Sequence, residues 1–263
     1  MNESNEYNGW GLSDRYLEEA AEFPEWIPGR VILQHRNLYK VVTGRGELTA
    51  QVSGKLRHVS AAPPDFPAVG DFVLVDRDND REGYGTIHRI LSRRSAFIRK
   101  AAGKTGDSQV VAANIDTVFI CMALTRDFNL KRLERYLAIA WDSGAVPVVI
   151  LTKSDLHQDV SQQLRAVENA AIGVDVVVSS GVSGAGCEEI MAWIRPGKTV
   201  AFIGSSGVGK STLINRPLGQ ERMETLSVDR DGKGRHATTR RELVILPGGG
   251  ALIDTPGMRE VGV

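Results

Sequence analysis

Residues 204–211 read Gly204-Ser-Ser-Gly-Val-Gly-Lys-Ser, a complete G-x-x-x-x-G-K-[ST] pattern. An apolar run, residues 199–203, leads into it, and a helical pattern opens at Thr212. Strand, glycine-rich turn and helix form the setting in which this pattern cradles phosphate. The glycines let consecutive backbone N–H groups turn inward, and the helix N-terminus adds its positive end. Lys210 is expected to reach the β- and γ-phosphates of a nucleotide, and the Ser211 hydroxyl to ligate magnesium. The phosphate-binding set is therefore Gly204, Ser205, Ser206, Gly207, Val208, Gly209, Lys210, Ser211 and Thr212.

The flanking patterns agree with such a fold. From Gln109 on, near-continuous apolar runs (116–124, 146–151, 174–178, 199–203, 242–246, 250–253) alternate with amphipathic stretches (130–142, 160–171, 187–194). That alternation implies a largely parallel sheet covered on both faces. Residues 29–91 have a different texture. Five short alternating runs (30–33, 38–42, 48–52, 71–75, 85–91) are separated by turn residues such as Gly44, Gly54, Pro63, Gly70 and Gly83. They suggest a small β-barrel, for which the OB-fold is the commonest five-stranded candidate. Residues 1–27 are an acidic lead-in with a short helix from Asp14 that Pro24 ends. Residues 93–108 read as a basic linker. The expected division is a lead-in (1–27), a barrel (28–92), a linker (93–108) and an α/β domain (109–263).

Lys+Arg and Asp+Glu both number 32, so net charge names no partner. Its distribution is more telling: residues 29–104 hold fourteen bases against seven acids, a net +7 that can meet a phosphate backbone. Cys121 and Cys187 are far apart in apolar contexts, which excludes a disulfide framework or a zinc site built on them. The polar, acidic N-terminus is not a signal peptide, and no apolar stretch nears the roughly 20 residues of a membrane span. A cytoplasmic location without membrane attachment is expected.

Three further motifs complete the site. Thr152-Lys153-Ser154-Asp155 follows a strand; a carboxylate there can accept the N1–H and exocyclic amine of guanine, a pair that adenine lacks. Ser179 and Ser180 end another strand at the place of a base-edge loop. Asp254-Thr-Pro-Gly257 caps a strand beyond the phosphate loop, so Asp254 is expected on magnesium and the Gly257 N–H toward the γ-phosphate. Between the two lies Gly234-Arg-His236-Ala-Thr238-Thr239, a loop whose Thr hydroxyl would complete the metal shell when GTP is bound. Base-reading loops thus precede the phosphate loop, and the switch loops come last.

With this order the chain resembles the RsgA (YjeQ/YloQ) family of circularly permuted GTPases. The resemblance runs from about Gly29 to the last residue. It rests on Val69-Gly-Asp-Phe-Val, Gln109-Val-Val-Ala-Ala-Asn114-Ile-Asp116, Arg135-Tyr-Leu, Gly207-Val-Gly-Lys-Ser, Gly234-Arg-His and Asp254-Thr-Pro-Gly-Met-Arg-Glu260. It implies GTP or GDP with magnesium as ligands, an OB-fold contacting ribosomal RNA, and the small ribosomal subunit as partner and stimulator of hydrolysis, with the chain acting as a monomer. It further implies His236 as the group that orients water, because Met258 stands where Ras-like enzymes place a Gln, and Thr238 as the switch-loop magnesium ligand. His236 and Lys210 are then the catalytic pair.

Four departures from the family pattern stand out. Thr152 replaces an Asn, Ala237 interrupts the switch-loop threonines, and Pro217 falls inside the phosphate-loop helix, where an interior Pro costs roughly 3 kcal/mol, less in a last turn. The family's C-terminal helical domain, which holds zinc through three Cys and one His, has no counterpart within the 263 residues, so no zinc site is expected in this chain. Two other classes remain open: an RNA-binding module that holds nucleotide with little turnover, and a P-loop ATPase or kinase, against which Asp155 argues.

Overall fold

The computed structural model describes residues 8–81, 83–100, 108–218, 241–246 and 249–254. Helix α1 (Asp14–Ala21) leads into strands β1 (Ile27–His35), β2 (Leu38–Thr43) and β3 (Gly46–Val52). A short helix α2 (Gly54–Val59), capped by the Ser53 hydroxyl, precedes β4 (Phe72–Val75) and β5 (Gly85–Ile90). The pairings β1–β2, β2–β3, β3–β5, β5–β4 and β4–β1 close a five-stranded, OB-like barrel. Alternate residues point inward, as the pleat requires. Val31, Val41, Leu48, Ala50, Val73, Val75 and Ile87 fill the interior with no exposure. Tyr16 and Ala20 on the apolar face of α1, with Leu12 just before it, pack on Phe72, Leu74 and Leu91 outside the barrel.

The basic segment 93–108, read from the sequence as a linker, carries a strand. Strand β6 (Ala96–Lys100) pairs antiparallel with β7 (Ser108–Ala113). Phe97 is buried in the main core with Val111 and Ala112, and the Ser95 hydroxyl donates to the Ile115 carbonyl at 2.7 Å. Four bases around one buried aromatic hide a strand that tertiary packing makes.

The remaining elements are β8 (Thr117–Ala123), α3 (Leu130–Ser143), β9 (Val146–Thr152), α4 (Ser161–Ala170), β10 (Asp175–Val178), α5 (Cys187–Met191), β11 (Thr199–Ile203), α6 (Lys210–Leu218), β12 (Arg241–Ile245) and β13 (Ala251–Asp254). Strands β10, β9, β8, β11 and β13 lie side by side in parallel, and β12 joins antiparallel. Strand β8, flanked on both sides, is buried at every residue, which matches its unbroken apolar sequence. Pro217 falls in the last turn of α6, where its missing N–H costs one bond to Leu213 rather than breaking the helix. No helix among the described residues is long and apolar enough to cross a membrane.

Barrel and α/β unit share one hydrogen-bonded sheet, because β12 pairs with β1 (Glu242 opposite Leu33, Arg241 opposite Gln34). They also share a buried polar hub. The fully buried guanidinium of Arg30 donates to the carbonyls of Gly70 (3.2 Å), Asn114 (3.3 Å) and Trp10. The Asn114 side chain accepts from the Tyr16 hydroxyl (3.0 Å) and the Arg94 N–H (2.9 Å) and donates to Gly70 (3.1 Å). Burial lowers the Arg30 pKa to about 10, so the group stays charged at neutral pH. Gly70 sits at φ +95°, and a Cβ there would lie 2.1 Å from the Ala113 carbonyl oxygen. Gly70→Ala is therefore predicted to destabilise the protein by about 3 kcal/mol or more, through left-handed strain and a backbone clash. Urea denaturation of the two forms would measure it; a loss under about 1 kcal/mol would mean that the turn relaxes freely.

Candidate functional site

The predicted loops that follow β9, β10 and β11 converge at one edge of the parallel sheet, outside the carboxyl ends of β8, β9, β10 and β11. Open α/β sheets bind ligands in that crevice. The loop after β11 turns on three glycines with positive φ: Gly204 (144°), Gly207 (72°) and Gly209 (104°). Gly204 is required for contact as well. Its Cβ would lie 2.4 Å from the Cys121 carbonyl oxygen, so only glycine lets the loop rest on β8. At Gly207 a Cβ would meet nothing within 4 Å, so backbone conformation alone calls for glycine there. The loop then enters α6, where Leu213 N–H closes the first turn on the Gly209 carbonyl (3.0 Å). Lys210 folds back over the loop and donates to the carbonyls of Gly204 (2.6 Å) and Ser205 (2.7 Å). Burial pushes the Cys121 thiol beneath the loop to about 12, which makes it an inert packing group.

The base-reading turn begins where β9 ends. Thr152 is buried, and its hydroxyl donates to the Val208 carbonyl of the phosphate loop at 2.5 Å. Lys153 takes a left-handed φ of 61°, which starts the short turn Ser154–Leu156 and leaves Asp155 exposed at its centre. The neighbouring turn is locked to it, since Ser154 N–H donates to the Ser179 carbonyl (3.1 Å). The buried Ser180 hydroxyl donates to one Asp155 carboxylate oxygen and accepts from Val182 N–H (3.2 Å) and Ser183 N–H (3.1 Å). One carboxylate oxygen is thereby fixed in place. The Thr152 bond bears on the departure noted in the sequence: the hydroxyl itself ties the two loops together.

Of the remaining predicted residues, Asp254 ends β13, beside β11 at the same edge of the sheet. His236, Thr238 and residues 255–257 lie outside the described residues. Sequence reasoning missed Asp127, whose carboxylate accepts from the Ser205 hydroxyl and pairs with Arg132 at 2.9 Å. It missed His157 as well, whose ring binds the Leu124 carbonyl. Ser205 lies 78 positions from Asp127 and Leu124 lies 33 from His157, so spacing gives no signal for these contacts.

A glycine-turned phosphate loop tied to a base-reading turn that precedes it in the chain defines a P-loop nucleotide-binding domain in permuted order. The sequence profile described as RsgA GTPase matches residues 90–263, and the chain belongs to that family. The Lactiplantibacillus plantarum protein named small ribosomal subunit biogenesis GTPase RsgA 2 is 51% identical over 253 residues, covering 96% of this chain and 71% of its own length. The Opitutus terrae protein named small ribosomal subunit biogenesis GTPase RsgA is 46% identical over 244 residues, with coverages of 90% and 66%. The chain thus spans about two thirds of the length of these relatives. The crystal structure of YjeQ from Thermotoga maritima shares the fold with a TM-score of 0.67 at 24% identity, covering 90% of this chain and 77% of that one. YloQ, described as a circularly permuted GTPase, superposes with a TM-score of 0.60 at 21% identity, covering 88% of this chain and 71% of that one.

Thr152→Val is predicted to leave the Val208 carbonyl without its donor and to weaken GDP binding by about 1–2 kcal/mol, while Thr152→Ser retains most of the affinity. Calorimetric titration with GDP would decide it; equal affinity for Thr152→Val and the wild type would show that the tether is idle.

Proposed function

We propose that this chain binds GTP through the two tied loops, hydrolyses it, and acts on the small ribosomal subunit as its relatives are named to do. The Thr152–Val208 bond carries the reading, because it holds a guanine-selective carboxylate in fixed register with a phosphate loop. Asp155, oriented by Ser180, accepts from the guanine N1–H and amine, and ATP would leave it unpaired. The amides of residues 204–209 and the α6 N-terminus hold the phosphates, and Lys210 neutralises charge between β and γ. Ser211 and Asp254, with Thr238, are the oxygen donors that suit magnesium, a hard cation. When bound, that ion supplies charge stabilisation to the triphosphate. His236 orients the attacking water. The barrel together with the basic segment that follows it, a net +7 over residues 29–104, supplies positive charge for ribosomal RNA.

Two outcomes are expected. Asp155→Asn weakens GDP binding by roughly 2–3 kcal/mol, the range for hydrogen bonds to a charged group. GDP affinity within twofold of wild type would mean that this turn does not read the base. RNA affinity of the whole chain falls steeply between low and moderate salt, because binding releases counterions from the phosphates. A flat salt profile would mean that contacts to the phosphates do not carry RNA binding. GTP turnover measured with and without small subunits separates an enzyme from a module that only holds nucleotide.

A further inference from the structure

The loop between β8 and α3, residues 124–129, has no part in the nucleotide chemistry above, yet it touches both halves of the site. Leu124 N–H donates to the Thr152 carbonyl (2.9 Å), and the Leu124 carbonyl binds the ring of His157, so the near end is tied to the base-reading turn. At the far end the Asn129 side chain caps α3 by accepting from Arg132 N–H (3.0 Å). Asp127 stands between them. One of its carboxylate oxygens faces the Arg132 guanidinium at 2.9 Å, and the other accepts from the Ser205 hydroxyl.

Ser205 is the first variable residue of the phosphate loop. Its hydroxyl is held by Asp127 and its carbonyl by the Lys210 ammonium (2.7 Å). The orientation of that peptide is therefore set from two sides. Asp127 remains ionised in the neutral range: partial burial raises its pKa, but the bonds from Ser205 and Arg132 outweigh burial and hold it below the usual carboxylate value. Both oxygens are engaged by donors, which mutes the repulsion a bare carboxylate would exert on a polyphosphate.

We propose that Asp127 is a positioning residue of the phosphate site: acting through the Ser205 hydroxyl, it fixes the first peptide of the phosphate loop and, through that peptide's carbonyl, the place of the Lys210 ammonium. This rests on the GTPase reading given above. In this role it acts through Ser205 rather than on the base, so its removal acts on the geometry of transition-state stabilisation more than on base recognition.

The test measures GTP turnover, KM, GDP affinity and Tm in the full chain for Asp127→Ala, Asp127→Asn, Ser205→Ala and the double variant Asp127→Ala/Ser205→Ala. Each alanine variant should lose about tenfold in kcat with KM changed less than about threefold, and the double variant should be no worse than either single. Asp127→Asn keeps an acceptor for Ser205 and should recover most of the rate. A Tm for Ser205→Ala close to wild type separates positioning from loss of fold. Wild-type kcat in Ser205→Ala, additive losses, or an Asp127→Asn variant as slow as Asp127→Ala would each overturn the proposal. Lys210→Ala serves as the control. If it retains turnover, the GTPase site itself is wrongly placed. If it is dead while Asp127→Ala and Ser205→Ala are silent, only the positioning role fails.

Discussion

A buried cation holds this molecule together. Arg30 is removed from water at the start of the barrel, where an uncompensated charge would be costly. It is tolerated because carbonyls from three separate segments surround it: Trp10 before α1, Gly70 before β4, and Asn114 between β7 and β8. The Phe72 ring lies 4.6 Å from the guanidinium and adds a cation–π face. Next to it, Asp116 accepts from Arg94 (2.9 Å), Lys198 (3.1 Å) and Thr199 N–H (2.9 Å), which carries the network to the start of β11. The strand that feeds the phosphate loop is thus referenced to the barrel. A satisfied polar network of this kind is directional, and it specifies one arrangement of the parts where apolar contact would accept several.

The nucleotide site shows the same economy of means at its loops. The turn after β9 and the glycine loop after β11 are far apart in sequence, and single hydrogen bonds set their register: Thr152 to Val208 ties them to each other, and Ser180 to Asp155 and Ser154 to Ser179 tie the β9 turn to the one after β10. Each bond runs from a small hydroxyl or a backbone amide, groups with little side-chain entropy to lose. If the two segments read guanine and phosphate as proposed, they do so at a fixed separation, and the Thr152–Val208 bond sets it.

Much of this was legible in the sequence. Barrel strands appeared as alternation, the parallel sheet as unbroken apolar runs, and the phosphate loop as a motif whose glycines prove to be needed for φ at three positions and for contact at Gly204. The α3 stripe of Leu133, Tyr136, Leu137 and Ala140 is buried as its period predicts. What stayed hidden has a common physical character. Strand β6 exists because β7 offers it a partner and Phe97 a pocket, and its charges spoke louder than its period. Asp127 sits among ordinary loop residues and becomes significant only when Ser205 arrives from 78 positions along the chain. Nothing in the sequence singles out Arg30, because its carbonyl partners come from three distant segments.

Strand β1 divides its second edge between two owners. Residues 27–30 pair with β4, residues 33–34 pair with β12, and a register shift between Val31 and Leu33 marks the handover. Strand β12 has β13 on its other side. Strand β1 covers only the first two residues of β12, Arg241 and Glu242, and bare strand borders recruit other strands. Cutting the chain between barrel and α/β unit would therefore not yield two tidy modules. It would bare the backbone of Arg241 and Glu242, the two β12 residues that β1 covers, and lengthen an edge of the kind that invites strand addition.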